Sequence, residues 1–223
     1  MAPSIRETVC KHFSKIETEL SIDDLRKNFS YYVQLLHDQI YEDFLVLQDK
    51  AFNKAFSEEI KLKEELSFEK FDKFFLSLSQ SRRVRSGGVF EIIIEKLLNH
   101  LSYPLDIQKK IGKKKVDFVL PSIDFFQNDP LNSILLSAKR TFRERWYQVA
   151  IESNLSNTFF LATIDPNITQ DQLDEIQNAG IYVVNTKHNI DSIMHYQTSS
   201  NVMSYEYFIF RHLDHQLKIW EEH

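Results

Sequence analysis

The sequence predicts an α/β fold with an N-terminal helical subdomain, and three observations support this class. Apolar residues recur every three or four positions through the first 80 residues, which is the period of amphipathic helices. From Pro104 onward, short apolar runs alternate with helical patterns, as in proteins whose helices cover a sheet. Gly87 and Gly88, two of only four glycines, lie where the pattern changes. We therefore predict a helical subdomain over residues 1–80 and an α/β domain over residues 81–223.

Three helices are predicted before residue 81. The first two follow from amphipathic stripes, and Ser21 is the expected N-cap of the second helix. Ser67 is the expected N-cap of the third helix, whose aromatic stripe is typical of a buried face. The apolar positions of the three stripes are Val9, Phe13, Ile16 and Leu20; Leu25, Phe29, Tyr32, Leu36, Ile40 and Phe44; and Phe68, Phe71, Phe74, Phe75 and Leu78.

The glycine pair and the segments after it define the α/β domain. Ser86-Gly87-Gly88 predicts a special backbone conformation, because glycine adopts dihedral angles that other residues avoid. A further helix is expected to begin near Phe90. Apolar runs predict strands at residues 116–120, 134–138, 159–164 and 181–184, and helical patterns predict helices at residues 142–154, 170–178 and 202–220.

The composition excludes several classes of protein. A hydrophobic share of 43% in 223 residues is typical of a packed core and not of a disordered or collagen-like chain. Cys10 is the single cysteine, so no internal disulfide can form. The sequence has no run of 18 apolar residues and no N-terminal targeting pattern, so we expect a cytoplasmic protein with no membrane partner.

Charge is distributed unevenly along the chain. The formal net charge is −5, from 27 Lys and Arg against 32 Asp and Glu. Residues 81–146 contain 13 basic and seven acidic residues and carry +6, whereas the other 14 basic and 25 acidic residues give −11. A basic middle in an acidic chain is expected of a protein that holds phosphates in one cleft. The alternative is a set of solvated basic loops.

The sharpest motif is an aspartate on one strand and a lysine at the end of the next. Asp117 lies in the run of residues 116–120, and Lys139 follows 22 positions later, directly after Ser137-Ala138. Two adjacent antiparallel strands would bring these side chains together, where the carboxylate can bind a hard divalent cation and the lysine can orient water or phosphate. The alternative is an exposed aspartate and an unrelated lysine whose stem covers apolar surface.

Two further carboxylates support a metal site. Glu91 lies on the helix predicted after the glycine pair, and Glu152 lies thirteen positions after Lys139. Nucleases built on two such strands commonly have an acid two residues before the lysine, but this chain has Ser137 there. We therefore predict that Glu152 supplies the missing acid from a helix that returns toward the end of the strand.

A charged cluster follows the lysine, in the run Arg143-Glu144-Arg145. Arginine can donate two hydrogen bonds to O6 and N7 of guanine, and a carboxylate can accept one from N4 of cytosine. The cluster therefore predicts recognition of G·C pairs in a DNA major groove. The alternative is that Glu144 pairs with its neighbouring arginines on an exposed helix face.

Taken together, these motifs resemble the catalytic domain of EcoRII and its relatives PspGI and SsoII, type II restriction endonucleases of the PD-(D/E)xK fold. The resemblance runs from about residue 67 to residue 188, and the order and spacing of the motifs agree. Val116 stands where the family has a proline before its metal-binding aspartate. The motifs are Ser81-Arg82-Arg83, Ser86-Gly87-Gly88, Phe90-Glu91, Lys115-Val116-Asp117-Phe118-Val119-Leu120-Pro121-Ser122, Ser137-Ala138-Lys139, Arg143-Glu144-Arg145-Trp146 and Gln148.

The resemblance implies a fold and an activity. The fold is a PD-(D/E)xK core, with a mixed central sheet flanked by helices, over residues 81–223. The activity is Mg²⁺-dependent cleavage of double-stranded DNA at a short site with a CC/GG core, of the CCWGG or CCNGG type, leaving 5′-phosphate ends. A near-palindromic site calls for a homodimer. The expected cellular counterpart is a DNA methyltransferase of the same specificity, with no direct complex.

The resemblance also implies roles for individual residues. Asp117, Glu152 and Glu91 match the metal-binding acids, Lys139 matches the active-site lysine, and Arg145 matches an arginine beside the scissile phosphate. The remaining expected DNA contacts are Arg143 and Glu144, with Arg145, at the bases; Arg82, Arg83, Arg85, Lys113 and Lys114 at the backbone; and Arg26 or Lys27 with Tyr31 as a clamp for flipped central bases.

Two other functions stay open from the sequence. One is a repair or junction nuclease on the same fold that recognises DNA structure, although a carboxylate such as Glu144 in the groove repels phosphate and disfavours this role. The other is a DNA-binding protein without catalytic activity. The presence of all four residues Glu91, Asp117, Lys139 and Glu152 disfavours that alternative.

Overall fold

A computed structural model describes residues 4–61, 67–111, 114–142 and 159–222. The N-terminal part consists of helices α1 (Ile5–Glu17), α2 (Ile22–Lys27) and α3 (Phe29–Lys61). The side chain of Ser21 accepts a hydrogen bond from the backbone N–H of Asp24, so the predicted N-cap is confirmed. The side chain of Ser67 likewise accepts one from the N–H of Lys70, at the start of helix α4 (Phe68–His100).

Asn28 divides the second predicted helix into α2 and α3. Its backbone leaves the helical region, with φ −128° and ψ 29°. Its side-chain Nδ2 donates a hydrogen bond of 2.8 Å to Oδ1 of Asp24. Asparagine is a moderately poor helix former, and the apolar period of three to four residues does not reveal the interruption. The prediction of one continuous helix was therefore wrong at this residue.

Helix α4 passes through Ser86-Gly87-Gly88 without a break, so the special backbone conformation predicted there was wrong. Gly88 packs against α1, and a Cβ added to it would lie 3.5 Å from Cδ1 of Ile5, an ordinary contact distance. Neither backbone conformation nor space requires glycine at position 88. The predicted subdomain boundary at residues 80 and 81 falls inside α4, and the division stays a prediction.

Within the described ranges, six strands form one sheet in the order β1-β2-β3-β4-β5-β6. β1, β2 and β3 are antiparallel to one another, and β3 to β6 run parallel. The predicted α/β class with a mixed sheet is confirmed. The strands are β1 (Asp106–Ile111), β2 (Lys114–Leu120), β3 (Ile134–Ala138), β4 (Phe159–Ala162), β5 (Ile181–Asn185) and β6 (Val202–Ser204).

The strands at the two edges of the sheet were not predicted. β1 has the sequence DIQKKI. Its side chains are mainly polar and partly or fully exposed, so the strand has no apolar run that would predict it. β6 has three residues, which the sequence assigned to the start of a helix at residue 202. The helical region begins instead at Tyr205, because Ser204 caps it by accepting from the N–H of Tyr207.

The remaining helices connect and cover the strands. The predicted helix at residues 170–178 is confirmed, whereas the helix predicted at residues 142–154 falls almost wholly outside the described residues. No helix among the described residues is long and apolar enough to cross a membrane. The helices are α5 (Ile123–Asn128), α6 (Gln170–Asn178), α7 (Lys187–Ser192), α8 (Met194–Thr198), α9 (Tyr205–Phe208), a π-helical segment (Ile209–Leu213) and α10 (Asp214–Glu221).

The core consists of two hydrophobic clusters, and alternate residues of the strands contribute to each. Phe118 on β2 joins the cluster that contains Phe29 of α3 and Ile93 of α4. Its neighbour Val119 joins the second cluster, with Leu173 of α6. The N-terminal helices therefore share the first cluster with the sheet, and this cluster holds α4 against the strands near Asp117 and Lys139.

Candidate active site

The antiparallel pairing of β2 with β3 brings Asp117 and Lys139 together. Phe118 pairs with Leu136, so Asp117 lies beside Ser137, near the end of β3. Lys139 follows the strand, and its backbone N–H donates to the carbonyl of Ala162 on β4 at 2.9 Å. Its Nζ lies 2.7 Å from Oδ2 of Asp117. The proximity that the sequence predicted for these two residues is present in the structure.

One oxygen of Asp117 accepts three hydrogen bonds. Besides Lys139, its Oδ2 accepts from Oγ of Ser137 at 2.8 Å and from the backbone N–H of Ala138 at 2.9 Å. Oδ1 accepts none from the part of the chain that the structure describes. Asp117 is 9% exposed, so the protein fixes the carboxylate through one oxygen and leaves the other for an external ligand.

Glu91 approaches the same lysine from α4. Its Oε1 lies 3.8 Å from Nζ of Lys139, and its side chain is 24% exposed. Burial, together with the negative charge of Asp117, raises the pKa of Glu91 above its ordinary value, and Lys139 partly offsets this. Two carboxylates thus lie beside one lysine, and the more distant Lys115 also lowers the pKa of Glu91.

The chemistry of these donors fits a hard divalent cation. Carboxylate oxygens are preferred ligands of Mg²⁺, and an added cation would lower the repulsion between Glu91 and Asp117. No group of three His, Cys, Asp or Glu able to hold a metal ion occurs within the described ranges. Glu152, the predicted acid, lies outside the described residues.

The side chain of Gln108 on β1 also contacts Glu91. Nε2 of Gln108 lies 3.4 Å from Oε2 of Glu91, and Oε1 of Gln108 accepts from Nζ of Lys115 at 3.0 Å. The sequence pointed to Lys115 only as part of a basic run and gave no indication of Gln108. A lone glutamine carries no signal of function, and the strand that places it here was itself not predicted.

Asp165 fixes the turn that follows Lys139. Its buried Oδ2 accepts from the backbone N–H of Phe142 at 2.6 Å. Within the same turn, Oγ1 of Thr163 donates to the carbonyl of Arg140 at 3.2 Å. These bonds hold residues 140 and 142 to the chain after β4, so the backbone position of residue 142 is fixed.

Arg140 contacts the N-terminal helices. Its guanidinium carbon lies 5.7 Å from the ring centroid of Tyr41 on α3. Tyr41 stacks in turn on His37, with ring centroids 6.3 Å apart. Burial is the main cause of a lowered pKa of His37, to which the positive charge of Arg140 also contributes. Neither residue of α3 was singled out from the sequence, because the apolar stripe of a helix does not reveal which strand end it will face.

The three residues predicted to clamp flipped bases lie in different surroundings. The guanidinium of Arg26 donates to the carboxylate of Asp214 and to the hydroxyl of Tyr103, and it lies over the ring of Phe210. Lys27 and Tyr31 are exposed. Tyr31 packs edge-on against the neighbouring Tyr32, with ring centroids 5.2 Å apart. The clamp stays a prediction.

Several predicted DNA contacts cannot be placed. Arg143, Glu144, Arg145 and Lys113 lie outside the described residues. Four others are described by their backbone alone: Arg82, Arg83 and Arg85 on α4, and Lys114 on β2.

Comparison with known families identifies the family to which the chain belongs. The family model of the EcoRII C-terminal domain matches residues 44–209, well over half of the chain. The chain belongs to the EcoRII C-terminal family. The resemblance inferred from the sequence motifs is thereby confirmed.

Two curated relatives align with the chain. It is 34% identical over 142 residues to the type II restriction enzyme SsoII of Shigella sonnei, an alignment that covers 59% of this chain and 46% of SsoII. It is 27% identical over 116 residues to the type II restriction enzyme EcoRII of Escherichia coli, covering 48% of this chain and 28% of EcoRII. The alignments therefore span less than half of either relative.

Solved structures share the fold. Metal-depleted Ecl18kI in complex with uncleaved, modified DNA superposes with a TM-score of 0.83 at 26% identity, over 98% of this chain and 80% of that chain. The PspGI–substrate DNA complex superposes with a TM-score of 0.76 at 20% identity, over 99% and 94% of the two chains. The predicted restriction-endonuclease-like class is confirmed.

Proposed function

We propose that this protein is a type II restriction endonuclease that requires Mg²⁺ and cuts double-stranded DNA at a short site with a CC/GG core, of the CCWGG or CCNGG type. Membership of the EcoRII C-terminal family supports the reaction class. The observation that carries the proposal is the contact of 2.7 Å between Lys139 and Asp117, with Glu91 3.8 Å from the same ammonium group.

Asp117 and Glu91, with Glu152, are the residues proposed to hold the metal ion. Bound there, Mg²⁺ would act as a Lewis acid on the phosphate and would activate water. Lys139 is proposed to donate a hydrogen bond to the attacking water or to a phosphate oxygen, in a position set by Asp117. Water adds to phosphorus as the bond to O3′ breaks and a proton reaches that oxygen, which yields a 5′-phosphate and a 3′-hydroxyl.

Sequence recognition is assigned to the residues after the turn. Arg143 and Glu144 are proposed to contact the G·C pairs, and Arg145 the scissile phosphate. Because Asp165 holds the N–H of Phe142, the first of these residues follows directly from a fixed backbone position. The proposed backbone contacts are Arg82, Arg83, Arg85, Lys113 and Lys114, and the proposed clamp for flipped bases is Arg26 or Lys27 with Tyr31.

A palindromic site favours a two-fold homodimer, since symmetric half-sites are recognised by symmetric subunits. The corresponding cellular partner is a methyltransferase that modifies the same site. The single cysteine and the DNA substrate are consistent with action in the cytoplasm.

The test is digestion of a plasmid with the purified protein and Mg²⁺, followed by sequencing of the cut ends. We expect cleavage at one short sequence with a CC/GG core, 5′-phosphate ends, and none of this with EDTA or with Lys139→Ala. Cleavage that follows junctions or mismatches rather than sequence would indicate a structure-specific nuclease. DNA binding without cleavage at any metal concentration would contradict the proposed activity.

A further inference from the structure

Gln108 has an unusual backbone conformation. Its φ is +52°, in the left-handed region that residues with a Cβ rarely adopt. Ser102, with φ +63°, is the other non-glycine residue with positive φ within the described ranges. Such conformations cost free energy and persist where the surrounding structure holds them, often at functional sites.

The position of Gln108 in the sheet is opposite the metal-binding aspartate. Ile107 pairs with Phe118 and Lys109 pairs with Val116, so Gln108 lies between these pairs, across from Asp117. Residues that face each other on adjacent strands project to the same side of a sheet. The left-handed residue is therefore adjacent to the site that Asp117 occupies.

The hydrogen bonds of Gln108 fix the orientation of its amide. An ammonium group only donates, so the oxygen of Gln108 must face Nζ of Lys115, at 3.0 Å. An ionised carboxylate only accepts, so the nitrogen must face Oε2 of Glu91, at 3.4 Å. The second oxygen of Glu91, Oε1, then faces Nζ of Lys139 at 3.8 Å.

We propose that Gln108 is a positioning residue for the metal site: its amide orients the carboxylate of Glu91 and links that carboxylate to Lys115. The inference rests on the proposed function and extends it to a residue other than the predicted acids and lysine. Glu91 projects from a helix, so without a second partner its carboxylate would turn freely between Lys139 and solvent. Neighbours that orient a metal ligand in this way commonly change metal affinity by about 10-fold or more when they are removed.

Binding of Mn²⁺ alone, measured by electron paramagnetic resonance on metal-free protein, tests the role of the amide. Gln108→Met keeps the length of the side chain and removes both hydrogen bonds. We expect a dissociation constant for Mn²⁺ about 10-fold higher than in the wild type. Glu91→Gln should weaken binding in the same direction. A wild-type dissociation constant in Gln108→Met would overturn the inference.

Glycine variants separate the amide from the backbone conformation. Gln108→Gly removes the amide and also removes the steric penalty of positive φ, so it should bind Mn²⁺ as weakly as Gln108→Met while its thermal midpoint does not fall. Ser102→Gly, the matched control away from the site, should bind Mn²⁺ like the wild type. Normal Mn²⁺ binding by Gln108→Gly would mean that the side chain has no positioning role.

Cleavage kinetics provide a readout that a purely structural role would not give. In Gln108→Met, the Mg²⁺ concentration at half-maximal cleavage should rise about 10-fold, with DNA affinity in the absence of metal unchanged. A parallel loss of DNA affinity and of cleavage at saturating Mg²⁺ would instead indicate disrupted structure and would contradict the inference.

Failure of the inference can be distinguished from failure of the proposed function. If the wild type and Asp117→Asn bind Mn²⁺ equally, no metal is held at Asp117, and both proposals fail. If Mn²⁺ binding requires Asp117 and Glu91 but is indifferent to Gln108, the positioning role alone is wrong.

Discussion

Two buried aspartates flank the turn after β3, and they differ in what surrounds them. Asp117 is 9% exposed and accepts from the backbone N–H of Ala138 at 2.9 Å; Asp165 is 7% exposed and accepts from that of Phe142 at 2.6 Å. The second oxygen of Asp165 accepts from the N–H of Asn167 at 3.0 Å. Asp117 instead has Lys139 at 2.7 Å and an Oδ1 without a partner among the described residues.

Burial and backbone hydrogen bonds therefore do not distinguish a catalytic carboxylate from a structural one. Both oxygens of Asp165 accept hydrogen bonds from backbone amides, which hold the turn and the chain after β4 in place. Its carbonyl is also bonded, to the hydroxyl of Tyr196 and to Nδ2 of Asn185, each at 2.9 Å. Asp117 has an oxygen that accepts no hydrogen bond from the described residues, beside an ammonium group and a second carboxylate, and this arrangement can bind a metal ion.

The largest expected effect follows from this difference. Asp117→Ala and Lys139→Ala should each reduce cleavage by at least about 100-fold, because these groups act on metal and phosphorus. Specific DNA binding should remain, and Asp117→Ala should tighten it without metal, since a negative charge near phosphate is lost. Plasmid nicking and gel-shift assays measure the two properties, with Asp165→Asn as the matched control. Wild-type turnover by either alanine variant would refute the site assignment.

The next effect concerns Glu152, the acid predicted to complete the metal site. Glu152→Ala should lose metal-dependent cleavage, whereas Ser137→Ala should keep most of it. Ser137 donates one of three hydrogen bonds to Oδ2 of Asp117, so its loss leaves the carboxylate held by Ala138 and Lys139. Cleavage rates over a Mg²⁺ titration test both variants. Loss of cleavage in Ser137→Ala alone would mean that the residue two positions before Lys139, on β3, has the role assigned to Glu152.

Base recognition should respond more moderately. Arg143→Ala or Glu144→Ala should each cost about 1–3 kcal/mol of binding free energy per half-site, and twice that in a symmetric dimer. The measurement is competition between a duplex with a CC/GG core and a scrambled duplex at two salt concentrations. If Arg143 contacted phosphate alone, binding to all sequences would weaken alike and the salt slope would fall by about one per contact.

Asp165 itself should affect stability rather than chemistry. Asp165→Ala removes the acceptor of the buried N–H of Phe142, and a buried donor without a partner costs about 1–3 kcal/mol of unfolding free energy. Urea unfolding measures the loss. Cleavage per folded molecule should change far less than in Asp117→Ala. A similar loss of turnover in both variants would show that the two aspartates are not functionally distinct.

The smallest effect is on pH-dependent stability. The pKa of Glu91 is raised in the folded protein, mainly by burial and then by Asp117, so its ionisation above that pKa destabilises the metal-free protein. Glu91→Gln should therefore raise the thermal midpoint of the metal-free protein at neutral pH. This increase should disappear as the pH falls below the range in which an ordinary glutamate ionises. Thermal unfolding in EDTA across this pH range measures it. A lower midpoint at neutral pH would contradict the assigned cause.

The features that could be predicted from the sequence are mainly local. The caps at Ser21 and Ser67 depend on a hydroxyl and an amide three residues away, and the helix at residues 170–178 depends on one apolar face. The caps and this helix depend on neighbouring residues alone. The proximity of Asp117 and Lys139 was also predictable, because Asp117 lies on one predicted strand, Lys139 directly follows the next, and adjacent antiparallel strands bring such positions together.

Features that depend on packing between distant parts of the chain became visible only in the folded structure. Helix α4 continues through two glycines, whose helical cost of about 1 kcal/mol each is outweighed by the buried face that follows, including Phe90 and Ile93. Edge strand β1 forms because β2 offers it backbone partners, and this pairing brings Gln108 to Glu91. Apolar periodicity reports that a face is buried and does not report what covers it, so contacts between distant elements remain invisible until the chain has folded.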